Sequence, residues 1–138
     1  MNEGKFKGLW VIKSLALVLV LATLIITPFG LGGCKVNIGY VGTNVGNRIV
    51  AAYTLFNDTE TATIDVDAGK TLIVNYTSDV KQGKLTIKIF NSADELVAEL
   101  PSNTTGTKSI YTASHEKYKL EVAGDGTEGS FNVSWETQ

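Results

Sequence analysis

The chain has one cysteine, one histidine and two prolines in 138 residues, and neither sign of charge dominates. A single cysteine excludes a disulfide framework within the chain. A lone histidine leaves little room for a Ser-His-Asp arrangement, and no G-x-S-x-G turn accompanies it. A formal charge of −2 excludes the broad basic field of a nucleic-acid binder. With 43% hydrophobic and only 19% charged residues, the chain is not a disordered polar tail. Its length fits one domain.

What is present divides at Cys34. Residues 14–33, SLALVLVLATLIITPFGLGG, carry no charge and follow a short segment with Lys5, Lys7 and Lys13 against Glu3. A basic start and an apolar run predict a secretory signal peptide over residues 1–33, with a hydrophobic helix at Ser14–Thr27. Pro28 breaks that helix within the uncharged run, since it lacks an N–H and clashes with the preceding turn. Twenty uncharged residues at about 1.5 Å each would also just span a bilayer of roughly 30 Å, so an uncleaved membrane helix is the competing reading. Either way the basic end stays in the cytoplasm and the remainder lies outside.

Leu31-Gly32-Gly33-Cys34, at the end of that run, resembles the lipobox of bacterial lipoproteins. The resemblance implies cleavage between Gly33 and Cys34, a diacylglyceryl group on the Cys34 thiol, and a lipid-anchored protein on the extracytoplasmic side of a membrane. One acyl chain binds only marginally, whereas two or three give lasting attachment.

Residues 34–47 are rich in glycine and asparagine and read as a lipidated N-terminus and tether that ends in an edge strand. From residue 48 to 138 the apolar positions alternate with period two, as in strands with one wet face. Ala62, Ile64 and Val66 alternate with Thr61, Thr63 and Asp65. Leu72, Val74 and Tyr76 form the next inward set, then Leu85, Ile87 and Ile89, then Leu96, Ala98 and Leu100. Tyr118, Leu120 and Val122 follow, then Phe131, Val133 and Trp135. Turns are predicted at Asp67–Gly69, Asp79–Gly83 and Asn91–Asp94, and loops at Pro101–Gly106 and Gly124–Gly129. No 3.6-residue period stands out after residue 34. The pattern predicts an all-β fold: an antiparallel, jelly-roll-like β-sandwich of seven or eight strands.

The run TIDVDAGKTLIVNYTSDVKQGKLTIKIF, with the later KYKLEVAGDGTEGSFNVSW, resembles small sandwich domains of exported bacterial proteins. Pre-peptidase C-terminal and jelly-roll-like accessory domains are the named relatives. That likeness implies an accessory module without catalytic residues; some such modules bind calcium, carbohydrate or matrix polymers.

Other candidate sites are weaker. His115 beside Glu116 reads as a solvated turn histidine. Asp65 and Asp67, or Asp125 and Glu128, would offer oxygens to calcium, yet neither segment has the D-x-[DN]-x-[DN]-G spacing. Trp135 has inward parity, and Phe90 and Tyr111 are the aromatics expected outside. Lys84, Lys88, Lys117 and Lys119 read as a solvated stripe. The expectation is a non-catalytic binding or envelope-associated module without a cofactor. Its partners would be the membrane through Cys34 and an envelope protein or polysaccharide, with no nucleic acid. Alternatives are a carbohydrate- or calcium-binding accessory module and a small hydrolase.

Overall fold

Alternating side chains from residue 48 onward demand strands, and strands with one apolar face must bury it together. The computed structural model describes residues 34–138. The expected signal helix and the lipobox residues Leu31, Gly32 and Gly33 lie outside the described residues. Eight antiparallel strands form one sheet: β1 Val36–Ile38, β2 Val41–Val45, β3 Arg48–Asn57, β4 Thr59–Val66, β5 Thr71–Phe90, β6 Leu96–Leu100, β7 Thr105–Tyr111 and β8 Glu116–Thr137. Among the described residues there is no helix.

The two long strands organise everything else. β5 and β8 pair along their whole lengths, from Leu72 opposite Thr137 to Phe90 opposite Lys119. The other side of β8 carries β4 along Glu116–Ala123 and β3 along Thr127–Ser134. The other side of β5 carries β7 along Thr71–Thr77 and β6 along Ile87–Phe90. β1 and β2 run one after the other along the free side of β3. The sheet therefore has a first half, β1/β2–β3–β8–β5–β7, and a second half, β4–β8–β5–β6.

Two predicted breaks are absent. The turn expected at Asp79–Gly83 lies inside β5, and the loop expected at Gly124–Gly129 lies inside β8. Both segments are bulges rather than reversals: the β5–β8 register shifts between Val80 and Gln82 and again between Gln82 and Lys84. An extra residue bends a strand without ending it, and glycine supplies the backbone angles. Gly83 has φ +72° and Gly129 φ +145°, and a Cβ on Gly129 would run into the Asp79 carbonyl oxygen. Inward positions switch from even to odd numbers across each bulge. They pass from Leu72 and Val74 to Leu85, Ile87 and Ile89, and from Leu120 and Val122 to Phe131, Val133 and Trp135.

The inward residues of both halves form one core. Ile49, Phe56, Leu72, Val74, Ile87, Ile89, Leu120, Val122 and Val133 are fully buried. Each such side chain contributes about 1.5–3 kcal/mol relative to exposure. Tyr53, Phe56 and Phe131 meet with ring centroids 5.0–5.9 Å apart beside the β8 bulge. The buried hydroxyls of Thr112 and Tyr118 satisfy each other at 2.6 Å. One inward expectation fails: Leu96 is exposed, because the β5–β6 register shifts between Ile89 and Phe90 and turns it outward.

Candidate functional site

Cys34 begins the described domain, and its thiol is free and exposed. Residues 34–45, read as mostly tether, are fastened on two sides. Their backbone pairs with β3 through β1 and β2. Their side chains reach the β3–β4 corner and the start of β4. The Asn57 amide donates to the Cys34 carbonyl at 2.9 Å, and the Asn57 backbone N–H donates to Asn37 Oδ1 at 3.3 Å. Asp58, at the corner itself, accepts from Lys35 Nζ at 2.9 Å, from Asn37 Nδ2 at 3.3 Å and from the Thr59 backbone N–H at 2.7 Å. The Lys35 bond, followed by the Thr59 N–H, holds the Asp58 carboxyl below its ordinary range.

Tyr40 closes this edge. Gly39, with φ +60°, turns the chain between β1 and β2. The turn carries the Tyr40 ring against Tyr53 and Phe56, with centroids 6.4 and 5.8 Å away. Its hydroxyl donates to Glu60 Oε1 at 3.0 Å. Burial, and then the Glu60 carboxylate, push the Tyr40 hydroxyl up to about 12. Asn44 Nδ2 donates to the Thr61 carbonyl of β4 at 3.0 Å. Sequence reasoning missed Tyr40, Asn57 and Asp58, because their partners lie about twenty residues away and only the folded edge brings them together.

The other candidates fall elsewhere. Exposed His115 has Nε2 3.1 Å from Asp65 Oδ1 and Nδ1 3.6 Å from Asp67 Oδ1, so both aspartates read as calcium donors flank an imidazole instead. Asp125 stands opposite Lys84 in the β5–β8 ladder, and Glu128 lies 3.9 Å from Lys81 Nζ. Among the described residues no three His, Cys, Asp or Glu side chains are grouped to hold a metal ion. Trp135 is buried. Tyr111 is exposed, while Phe90 is half-buried beneath Lys119 Nζ, 4.7 Å from the ring centroid. The predicted lysine stripe is interleaved with acids. Lys117 approaches Asp65 at 3.7 Å, Lys119 bonds Asp94 at 2.9 Å, and Lys88 stands between Glu121 and Glu99 in the ladder.

The outward face of the first half is different in kind. Thr43, Val50, Asn132, Thr77 and Thr105 form one row across five strands, and Val45, Arg48, Ser134, Asn75 and Thr107 form the next. The hydroxyls of Thr77 and Thr105 bond each other. Thr107 Oγ1 donates to Asn75 Oδ1 at 2.7 Å, and Arg48 Nε donates to Asn132 Oδ1 at 2.9 Å. Arg48 is the only charge in these two rows.

No protein-family model and no curated protein matches this chain. Among solved structures, it is similar to part of the secreted serine protease VesC from Vibrio cholerae. That match has a TM-score of 0.55 and 12% identity, and covers 70% of this chain and 22% of VesC. It is also similar to PliG, a periplasmic lysozyme inhibitor of g-type lysozyme from Aeromonas hydrophila. There the TM-score is 0.44 at 16% identity, over 71% of this chain and 89% of PliG. A third likeness, to a cycloisomaltooligosaccharide glucanotransferase of Paenibacillus sp., has a TM-score of 0.38 and 15% identity, over 74% of this chain and 17% of that one. The chain thus spans about a fifth of the VesC chain, and the likeness to VesC is one of fold.

Proposed function

We propose that this protein is a bacterial lipoprotein, anchored through lipid on Cys34, whose extracytoplasmic domain is a non-catalytic binding or envelope-associated module. In this reading Leu31-Gly32-Gly33-Cys34 is the lipobox, residues 1–33 are removed, and the two halves of the sheet close as a jelly-roll-like sandwich of the accessory-domain kind. One observation carries it: the chain's single cysteine stands directly after twenty uncharged residues and is exposed where the domain begins. A thiol at that position is open to an acyl donor in the membrane. The secreted protease that shares the fold is in keeping with a place outside the cytoplasm.

Mass spectrometry of the native protein tests the proposal. The expected product begins at Cys34 and carries a lipid mass, and Cys34→Ala moves the protein from the membrane fraction to the soluble fraction. An intact leader with a bare thiol would sink it.

A second reading concerns the ligand. The outward rows containing Asn75, Thr77, Thr105, Thr107, Asn132 and Ser134 offer uncharged donors and acceptors, the chemistry that a neutral polysaccharide matches. Retention on insoluble envelope polysaccharide, lost in Asn132→Ala with Thr77→Val, is the expected result. Equal retention of the variant would remove this reading.

A further inference from the structure

Seven large hydrophobic side chains are exposed among the described residues, and four of them lie between residues 36 and 45: Val36 at 42%, Ile38 at 55%, Val41 at 76% and Val45 at 74%. Scattered exposed apolar residues need no explanation, but several on one face do. The register puts these four on one face. Val36 and Ile38 stand opposite Asn57 and Leu55, and Val41 and Val45 stand opposite Ala52 and Arg48, all on the side away from the buried Ile49 and Ala51. Val50 continues the same face. This is the outer edge of the sheet, where unpaired β-branched strands invite aggregation unless something covers them.

The position of the chain's apolar run says what covers them. The twenty uncharged residues end at Gly33, and Val36 follows only two residues after Cys34, about 7 Å of extended chain. No slack intervenes, because the Asn57 amide holds the Cys34 carbonyl and Lys35 and Asn37 both reach Asp58. Within β1, alternation puts Val36 and Ile38 on the outer side and Asn37 on the other.

We propose that the outward face of β1, β2 and the adjoining part of β3 is a membrane-contact surface, seated on the bilayer that holds the anchor at residue 34. The domain is then docked edge-on rather than suspended on a flexible leash, with the charged outer face of the second half turned to water. The inference rests on the anchoring proposed above. It holds equally for a lipid on Cys34 and for an uncleaved apolar anchor before it, since both bring the membrane to the start of β1.

The test uses full-length protein extracted from bacterial membranes and reconstituted in phosphatidylethanolamine–phosphatidylglycerol vesicles, with or without brominated acyl chains. Ile38→Cys, Val41→Cys and, as the distal control, Glu99→Cys each carry a bimane label. Bimane at positions 38 and 41 is expected to be quenched by the brominated lipid several-fold more than at position 99, and to be shielded from aqueous iodide. Two exposed positions guard against one label disturbing the edge. Vesicle-bound protein whose positions 38 and 41 are as open to iodide as position 99 overturns the docking while leaving the anchor in place. Shielding from iodide without quenching by lipid also overturns it, and identifies a second protein copy as the cover. Protein that never enters the membrane fraction overturns the anchoring and the docking together.

Discussion

The two halves of the sheet share one inner pattern and differ on the outside. In the first half, the rows through Thr43 and Val45 carry hydroxyls, amides and small apolar groups, with Arg48 as their one charge. In the second half, Asp65, Lys117, Lys119, Glu121, Lys88 and Glu99 cover the equivalent face with alternating signs. Both faces belong to the same two long strands, β5 and β8, so strand formation does not account for the difference. Burial dictates the inner face, whereas the outer face is free to record what surrounds it. A charged face of mixed sign keeps water and discourages unwanted edge pairing. A face with few charges gives up much of that protection, which fits a surface with something to contact.

The comparison is sharpened first by asking whether the halves are one folding unit. Phe131 lies in the first half and Leu120 in the second, and both belong to one core. Phe131→Ala is expected to cost about 3–5 kcal/mol and Leu120→Ala about 2–5 kcal/mol. Each should lower the midpoint of a single denaturant transition. Two transitions, only one of them shifted by each variant, would divide the sheet into independent halves.

The bulges that join the halves come next. Gly129→Ala meets both a φ of +145° and the Asp79 carbonyl, and is expected to cost at least about 2 kcal/mol. Gly126, with φ +56°, has open space around a would-be Cβ, so Gly126→Ala is expected to cost only about 1 kcal/mol. Thermal or urea denaturation measures both, and equal costs would mean that close approach at the bulge is unimportant.

A smaller effect belongs to the β1–β2 edge. Tyr40 keeps its proton longer when folded than when unfolded, because its native value is raised from 10.0 to about 12. Its contribution is therefore complete below pH 10 and is lost as the pH climbs towards 12. Tyr40→Phe, which keeps the ring against Tyr53 and Phe56, should flatten the fall in stability between pH 9 and pH 11.5. Burial raises Tyr53 as well, so part of the fall should persist. An unchanged slope would deny Tyr40 its place in the edge.

The smallest change is expected on the charged face. Asp65 and Lys117 are more than half exposed and 3.7 Å apart. Exposed pairs of this kind contribute about 0–1 kcal/mol, and salt screens them. Lys117→Ala should move the denaturation midpoint little, and less still at high salt.

Much of the fold was legible in particular residues. Ile64, Val66, Leu85, Ile87, Ile89, Leu120, Val122, Phe131, Val133 and Trp135 were all read as inward, and all are buried. The bulges look like a turn and a loop in sequence because glycine, aspartate and lysine clusters serve reversals and bulges alike. The switch from even to odd inward positions was the available sign of an inserted residue. Leu96 was misplaced for the same reason, one register shift in β5–β6. The Cys34 edge was only partly legible. Cys34 itself stands out by its uniqueness, but nothing in KVNIGYVGTNV marks Tyr40 as the residue that turns inward.

Local patterning sufficed to specify an all-β chain, most of the residues that face its core, and where the uncharged run gives way to the folded part, because each depends only on neighbours in sequence. Tertiary structure alone decided that β5 and β8 run unbroken through both halves, that residues 34–45 are stitched to the β3–β4 corner, and that exposed valines share a face. Those facts depend on register between strands distant in the chain, and a period of two is the same for every partner a strand could take.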